Sequence, residues 1–301
     1  MAGLFGFMNR FYYGKAGQAD YTPDRLPANR RALFFEMLRI RFSGIMGVNL
    51  LYLLFCLPAI LWTAINIPLL YGEAGADFFT GGYMMLYLLI LAPCLGLCGV
   101  GATGEMYILR NWARDQHAFV MDDFKSAIRE NWKNGLICGL IGGLSLLTGY
   151  VCNLFYGQMA VQSVFFLLPQ MISLLICVIW WMMNMLIFPM MVTYDMKLRH
   201  LIRNSFIMVI ARLPWSLLFL VGSVAPPALI FLFAPVPYNL LALGVIYLAV
   251  GFGLTGFVYA SYANSCFDKF LNPRIPGAKV NMGLRQEEEE EEDIDDPNPV
   301  I

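Results

Sequence analysis

Charge is what this sequence has least of. Asp, Glu, Lys and Arg make up 14% of the residues, against 59% that are hydrophobic, and the net charge is −1. A water-soluble domain carries about 25% charged and about 45–50% apolar residues, because its core needs a polar skin. The deficit excludes a soluble enzyme and a disordered chain, and the lack of a basic domain excludes a nucleic-acid binder. Histidine is scarce as well: His117 and His200 are the only two, and both lie in polar segments. There is no GxSxG, no HExxH and no glycine-rich phosphate loop, so no catalytic residue, metal or cofactor is assigned. The seven cysteines (56, 94, 98, 138, 152, 177 and 266) are odd in number, contain no CxxC and sit in or at the ends of apolar runs. A disulfide framework is therefore not expected. Cys94 and Cys98 share a helix face, but with no nearby His or carboxylate they read as small buried apolar residues, not as metal ligands.

What is present is a set of long apolar runs. Residues 42–70, 82–104, 135–157, 163–193, 213–237 and 238–267 contain no Asp, Glu, Lys, Arg or His. A helix needs about 20 such residues to cross about 30 Å of hydrocarbon, and helices satisfy their own backbone there. The expected fold is all-α and integral to a membrane, with six transmembrane helices in three helical hairpins, near 43–70, 82–108, 135–157, 163–192, 213–234 and 238–265. All 20 Lys and Arg residues fall in 1–41, 110–134, 194–212 and the tail from 268, and none in the alternate loops 71–81, 158–162 and 235–237. By the excess of Lys and Arg on cytoplasmic loops, both termini are expected in the cytoplasm. Residues 1–41 are too charged for a cleavable leader. The organisation that follows is a cytoplasmic segment at 1–41, a six-helix domain at 42–267 and a disordered acidic tail at 268–301. The first segment opens with an apolar stripe, Leu4, Phe5, Phe7, Met8 and Phe11, that suits a membrane surface. The tail holds Pro273, Pro276, Pro297 and the run Glu287 to Glu292.

Two cytoplasmic loops carry amphipathic patterns. Phe124, Ile128 and Trp132 follow Asp123 at spacing four, and Leu198, Ile202 and Phe206 follow Asp195 in the same way. Each Asp suits a helix start, where the dipole favours negative charge. A third copy, Phe34, Leu38, Arg39 and Phe42, precedes the first span, and the three align with Arg39, Arg129 and Arg203 at one position. The chain reads as three copies of one unit: interfacial helix, helix out, helix back. Gly135, Gly139 and Gly143 line one face of the third span, and glycines also line the second and sixth, where small residues let helices approach closely. Pro58, Pro93, Pro169, Pro189, Pro226 and Pro227 are expected to kink or break the first, second, fourth and fifth spans, with a tolerated kink favoured over a break that builds a transport site.

Ionisable groups inside a membrane mark functional sites by default, and Glu105 is the one that qualifies. It lies five residues, about 7.5 Å of helix, before Arg110. It is thus expected near the cytoplasmic interface, reaching water or Arg114, with a proton- or cation-binding role as the alternative. Without other buried carboxylates, an ion-coupled pump is disfavoured. Asn49, Asn184 and other uncharged polar residues of the spans are expected to bond between helices, or to line a cavity for a neutral solute.

The stretch from Tyr107 to Phe119, with Asp123-Phe124-Lys125 and Glu130-Asn-Trp-Lys133, resembles the YesL-like bacterial membrane proteins, a family filed as a domain of unknown function. Phe34 to Phe42 and Asn49 to Pro58 resemble that family's opening. The resemblance implies a six-helix protein of the bacterial cytoplasmic membrane with an accessory role in carbohydrate uptake and no catalytic residues. Two functions follow. In the first, the chain is a non-enzymatic accessory or scaffold protein in the lipid bilayer. Arg110, Trp112, Arg114, His117, Asp123, Phe124, Trp132 and Arg203 then dock a subunit of a sugar ABC importer or a sensor kinase. The alternative is a facilitator for a neutral solute such as an oligosaccharide, with the second, fourth and fifth spans lining its path.

Overall fold

A computed structural model describes residues 26–71, 82–233 and 238–285. The stripe at Met1–Phe11, Glu73 and Asp77 of the first outer loop, and the acidic run at 287–292 lie outside the described residues. Within them the chain is helical and contains no strand. The elements are α1 (Arg30–Tyr71), α2 (Gly82–Trp112), α3 (Val120–Ala160), α4 (Leu167–Met191), α5 (Leu198–Ala211), α6 (Leu213–Phe233), α7 (Tyr238–Ile246) and α8 (Phe252–Phe270). A π-helical turn, Tyr247–Gly251, joins α7 to α8. Six helical stretches are long and apolar enough to cross a membrane: α1, α2, α3, α4, α6, and α7 with α8. The protein is an all-α, multi-pass membrane protein. Its outer surface is correspondingly apolar, as in Leu50, Leu54, Leu61 and Ile65 of α1 and Leu168, Ile172, Leu175 and Ile176 of α4.

The amphipathic segments sit where the patterning puts them, but two of them are not separate helices. Residues 30–42 are the first turns of α1, and residues 120–134 the first turns of α3. Each of these helices is about 60 Å long at 1.5 Å per residue, twice the hydrocarbon thickness. Only the third copy is detached. α5 ends at Arg212, whose φ −126° and ψ 36° leave the helical region. Pro214 follows in the first turn of α6; it has no N–H to carry the α5 ladder on to Ile210, and its ring would clash with that carbonyl in a continuous helix. Neither of the other copies has a proline there.

The three segments share one burial register. Met37, Ala127 and Leu201 are buried, and so are Ile45, Gly135 and Val209 eight residues on, while Arg39, Arg129 and Arg203 are exposed. The last aromatic of each copy is half out: Phe42 is 46% exposed, Trp132 45% and Phe206 46%. A spacing of four advances about 40° beyond a full turn at 3.6 residues per turn, so two steps carry the side chain about 80° round, to the edge of the buried face. Those three aromatics therefore hold the same half-exposed register position in each copy.

The tightest packing joins α2 to α3. Gly99 faces the backbone of Gly135 and Gly139, Gly139 faces Leu95 and Gly96, and Gly143 faces Ala92. A Cβ on Gly135 would lie 2.6 Å from the carbonyl oxygen of Gly99. With no side chain between them the two backbones touch, which is how helices associate when lipid is as apolar as they are.

The prolines do not break the spans. α2 continues through Pro93, α4 through Pro189 and α6 through Pro226 and Pro227. The irregular backbone is in the sixth span, at Tyr247–Gly251, which has no proline. It is held from α1. Asn49, fully buried, donates from Nδ2 to the carbonyls of Tyr247 (3.1 Å) and Leu248 (2.9 Å) and accepts at Oδ1 from the Gly253 amide (2.9 Å). A π turn shifts the hydrogen-bond ladder by one residue and leaves backbone groups without their usual partners. Asn49 supplies those partners inside the bundle, in line with its expected helix–helix role.

The expected boundary at residue 267 is corrected too. α8 runs to Phe270, and residues 271–285 fold back across the charged end rather than forming a loose tail. Three contacts fix them. Leu284 is buried, the Arg285 amide donates to Pro27 O at 3.1 Å, and Gly283 adopts φ +78° against the Arg114 carbonyl. A side chain at Gly283 would meet that carbonyl oxygen at 2.8 Å, so glycine is needed there for conformation and for space.

Candidate functional site

The spans do not fill the interior. Between them lies a cavity of about 720 Å³ to which all six contribute lining residues. Along α2 it runs from Leu91 to Glu105, about 21 Å of helix at 1.5 Å per residue. That covers most of the hydrocarbon thickness, and the volume matches a pocket for a drug-sized molecule, about 300–1,000 Å³. The walls are largely apolar, with the aromatic side chains of Tyr52, Trp181, Phe188, Phe252 and Tyr259 among them.

The uncharged polar side chains of the wall are mostly occupied. Thr63 Oγ1 donates to Ala59 O (2.8 Å), Thr255 Oγ1 to Gly251 O (2.9 Å), and Asn184 Nδ2 to Trp180 O (2.8 Å). Each bonds one turn back on its own helix. Tyr259 OH donates to Ser223 Oγ at 2.7 Å, tying α8 to α6. Asn184 thus lines the cavity, and among the described residues its side chain bonds only within its own helix.

Glu105 differs from all of these. It is 3% exposed, lines the cavity where α2 nears its charged end, and its Oε1 has no hydrogen-bond partner. Space for it comes from Gly256 on α8, where a Cβ would lie 3.1 Å from Oε1. The expected contact with Arg114 is not made, because the helix face that carries Glu105 packs against α8.

Arg114 has another partner. Its Nε donates to Asn264 Oδ1 at 3.0 Å, and Asn264 Nδ2 donates to Arg110 O at 3.3 Å. Around this pair the charged end is laced together. Arg30 is ion-paired with Asp268, which also accepts from Asn272 Nδ2 and from the Asn281 amide. Tyr194 OH donates to Asn272 Oδ1 at 2.6 Å, and burial pushes that phenol up to about 12. The network joins the start of α1 and the segments that follow α2 and α4 to α8 and to the segment after it.

The eight expected docking residues therefore divide. Trp112, Arg114 and Phe124 are buried and Arg110 partly so, which removes them from any open docking face. Trp112 plugs a notch at Gly44, and Phe124 one at Gly104, where an added Cβ would meet the rings at 2.7 Å and 2.8 Å. Arg41 stacks over the other side of Trp112, 5.9 Å from the ring. His117, Trp132 and Arg203 are exposed. Asp123 accepts from the Phe119 amide at 2.7 Å, so it does cap the start of α3, from within the first turn. Its negative charge there also suits the helix dipole.

Among the described residues no group of three His, Cys, Asp or Glu side chains stands close enough to hold a metal ion. Comparison with family models, with curated proteins and with solved structures finds no match for this chain.

Proposed function

We propose that this chain is a carrier or facilitator, without covalent chemistry of its own, for a small lipophilic solute that bears an amine or other positive charge. The observation that carries this reading is the unpartnered Glu105 carboxylate in a large aromatic-lined cavity. An unpaired ionisable group in hydrocarbon is costly and is kept where it does something. A cationic solute supplies the missing partner, its body lies against apolar walls, and the faces of Tyr52, Trp181 and Phe188 attract positive charge. An oligosaccharide fits less well, because it needs many hydrogen-bond partners and Thr63, Thr255 and Asn184 already donate to their own helices. The concentration of Lys and Arg at one end supports placing that end, with both termini, on the cytoplasmic side of a bacterial membrane.

The test is equilibrium binding of tetraphenylphosphonium to the full chain in lipid nanodiscs. Wild type is expected to bind and Glu105→Gln to bind about tenfold or more weakly, the scale of a lost charge interaction in a poorly solvated site. No binding to wild type, or equal binding to both, would overturn the reading.

A second reading keeps the accessory role in carbohydrate uptake implied by the YesL-like resemblance. It is favoured by the exposed first turns of α3, where Lys125, Arg129 and Lys133 stand beside Met121 and Trp132. An importer subunit or sensor kinase crosslinked to that face in native membranes, and lost in Arg129→Glu/Lys133→Glu, is its expected result.

A further inference from the structure

A second hollow lies at the charged end and shares no lining residue with the central cavity. It measures about 440 Å³ and is bounded by the start of α1, the start of α6 and one face of α8. Its polar side is built from Arg30, Arg31, Arg212 and Ser261, and no carboxylate lines it. Its other side is Phe35, 67% exposed, and Trp215, 47% exposed. Because those rings face outward, the apolar wall is continuous with the lipid-facing surface.

Among the described residues, only one of the hollow's three guanidiniums has a carboxylate partner. Arg30 and Arg31 open α1, and Arg212 immediately precedes α6. Helix N-termini already carry partial positive charge and favour anions, so guanidiniums placed there raise the potential further. Asp268 takes Arg30. Arg212 is held by neutral partners, donating from Nη1 to Ser265 Oγ at 3.0 Å and lying 5.6 Å over the Tyr262 ring. Among the described residues Arg31 has no ion-pair partner. Two guanidiniums are thus left for an anion, and their fork geometry suits phosphate oxygens.

We propose that this hollow is a binding site for an anionic phospholipid, its phosphate between Arg31 and Arg212 and its acyl chain along Phe35 and Trp215. A free phosphate would satisfy the cations but leave the aromatic wall without a role. A lipid uses both, and the site stands at the level where headgroups lie against a bundle whose spans begin beside it. The site is independent of the central cavity and holds whether or not Glu105 binds a solute.

The experiment is native mass spectrometry of the full chain released from detergent. Phosphatidylglycerol, phosphatidylcholine and inorganic phosphate are added separately. Retention of phosphatidylglycerol in preference to phosphatidylcholine is expected, with a drop of roughly tenfold in Arg31→Gln, as when a charge-assisted contact is lost. Arg31→Gln is the first variant because its side chain is exposed and holds nothing else together. Arg212→Gln is the second, with its thermal unfolding transition measured alongside, and is expected to deepen the loss. Equal retention by wild type and Arg31→Gln would overturn the assignment, as would equal retention of the two lipids. Displacement of the lipid by inorganic phosphate alone would overturn it as well, since the site would then be an anion site without a lipid component.

Discussion

Asn49 Oδ1 accepts from the Gly253 amide at 2.9 Å, across the interface between the first span and the sixth. The same carboxamide donates to two carbonyls of the π turn just before Gly253. A regular helix would have no use for these bonds. They exist because the ladder of the sixth span is interrupted at Tyr247–Gly251, and without Asn49 the freed groups would stand unpaired in the bundle. Gly253 completes the fit, since a Cβ there would lie 2.8 Å from the Ile45 carbonyl.

Asn49→Leu removes all three bonds while keeping the branched shape and heavy-atom count of the side chain. The expected loss is about 1–3 kcal/mol, the range for buried groups left unsatisfied, read as a lowered unfolding midpoint in detergent. An unchanged midpoint would mean that the π turn needs no support from α1.

The glycine contacts divide into two kinds. Gly139→Leu on the α2–α3 seam forces two touching backbones apart and is expected to cost about 1–3 kcal/mol or more. Gly47→Ala and Gly222→Ala meet nothing within 4 Å and should be nearly silent. Yield and thermal midpoint of the three variants, measured side by side, check the contrast.

Two tryptophans of the charged end should behave in opposite ways. Trp112 is 3% exposed and fills the notch at Gly44, so Trp112→Ala is expected to cost about 3–5 kcal/mol. Trp132 is 45% exposed, and Trp132→Ala should stay within about 0.5 kcal/mol. Equal effects in thermal unfolding would contradict the placement of Trp112 in the core.

Asn264→Leu leaves the Arg114 guanidinium buried without its acceptor. Hydrogen bonds to charged groups contribute about 1.5–3 kcal/mol, so a loss of that size is expected. It should be accompanied by faster proteolysis within residues 271–285, which pack on Arg114. Protection of that segment in the variant would show that it is held elsewhere.

The spans were legible because hydrocarbon demands a composition that nothing else in the chain shares, and the amphipathic copies because helical period carries through to burial. Glu105 was legible as an exception but not in its setting. Its distance from Arg110 along the chain is about 7.5 Å, and no sequence distance tells which way a side chain turns. That is decided by the missing side chain at Gly256, which makes room for the carboxylate. The docking set divided for a related reason. Trp112 and Phe124 read as exposed aromatics of a polar loop until Gly44 and Gly104 are brought opposite them. The prolines do not mark the irregular backbone, since helices run through Pro93, Pro189, Pro226 and Pro227 while the π turn falls at Tyr247–Gly251, where no residue type announces it.

The most direct test of the Glu105 site is modification of the full chain in membranes by a hydrophobic carbodiimide, mapped by peptide mass spectrometry with and without tetraphenylphosphonium. The account predicts that Glu105 is modified and that the cation protects it, while Glu36 and Glu130, exposed at the charged end, gain no protection. Modification of Glu105 that the cation leaves unchanged, or protection spread evenly over all three carboxylates, would contradict it.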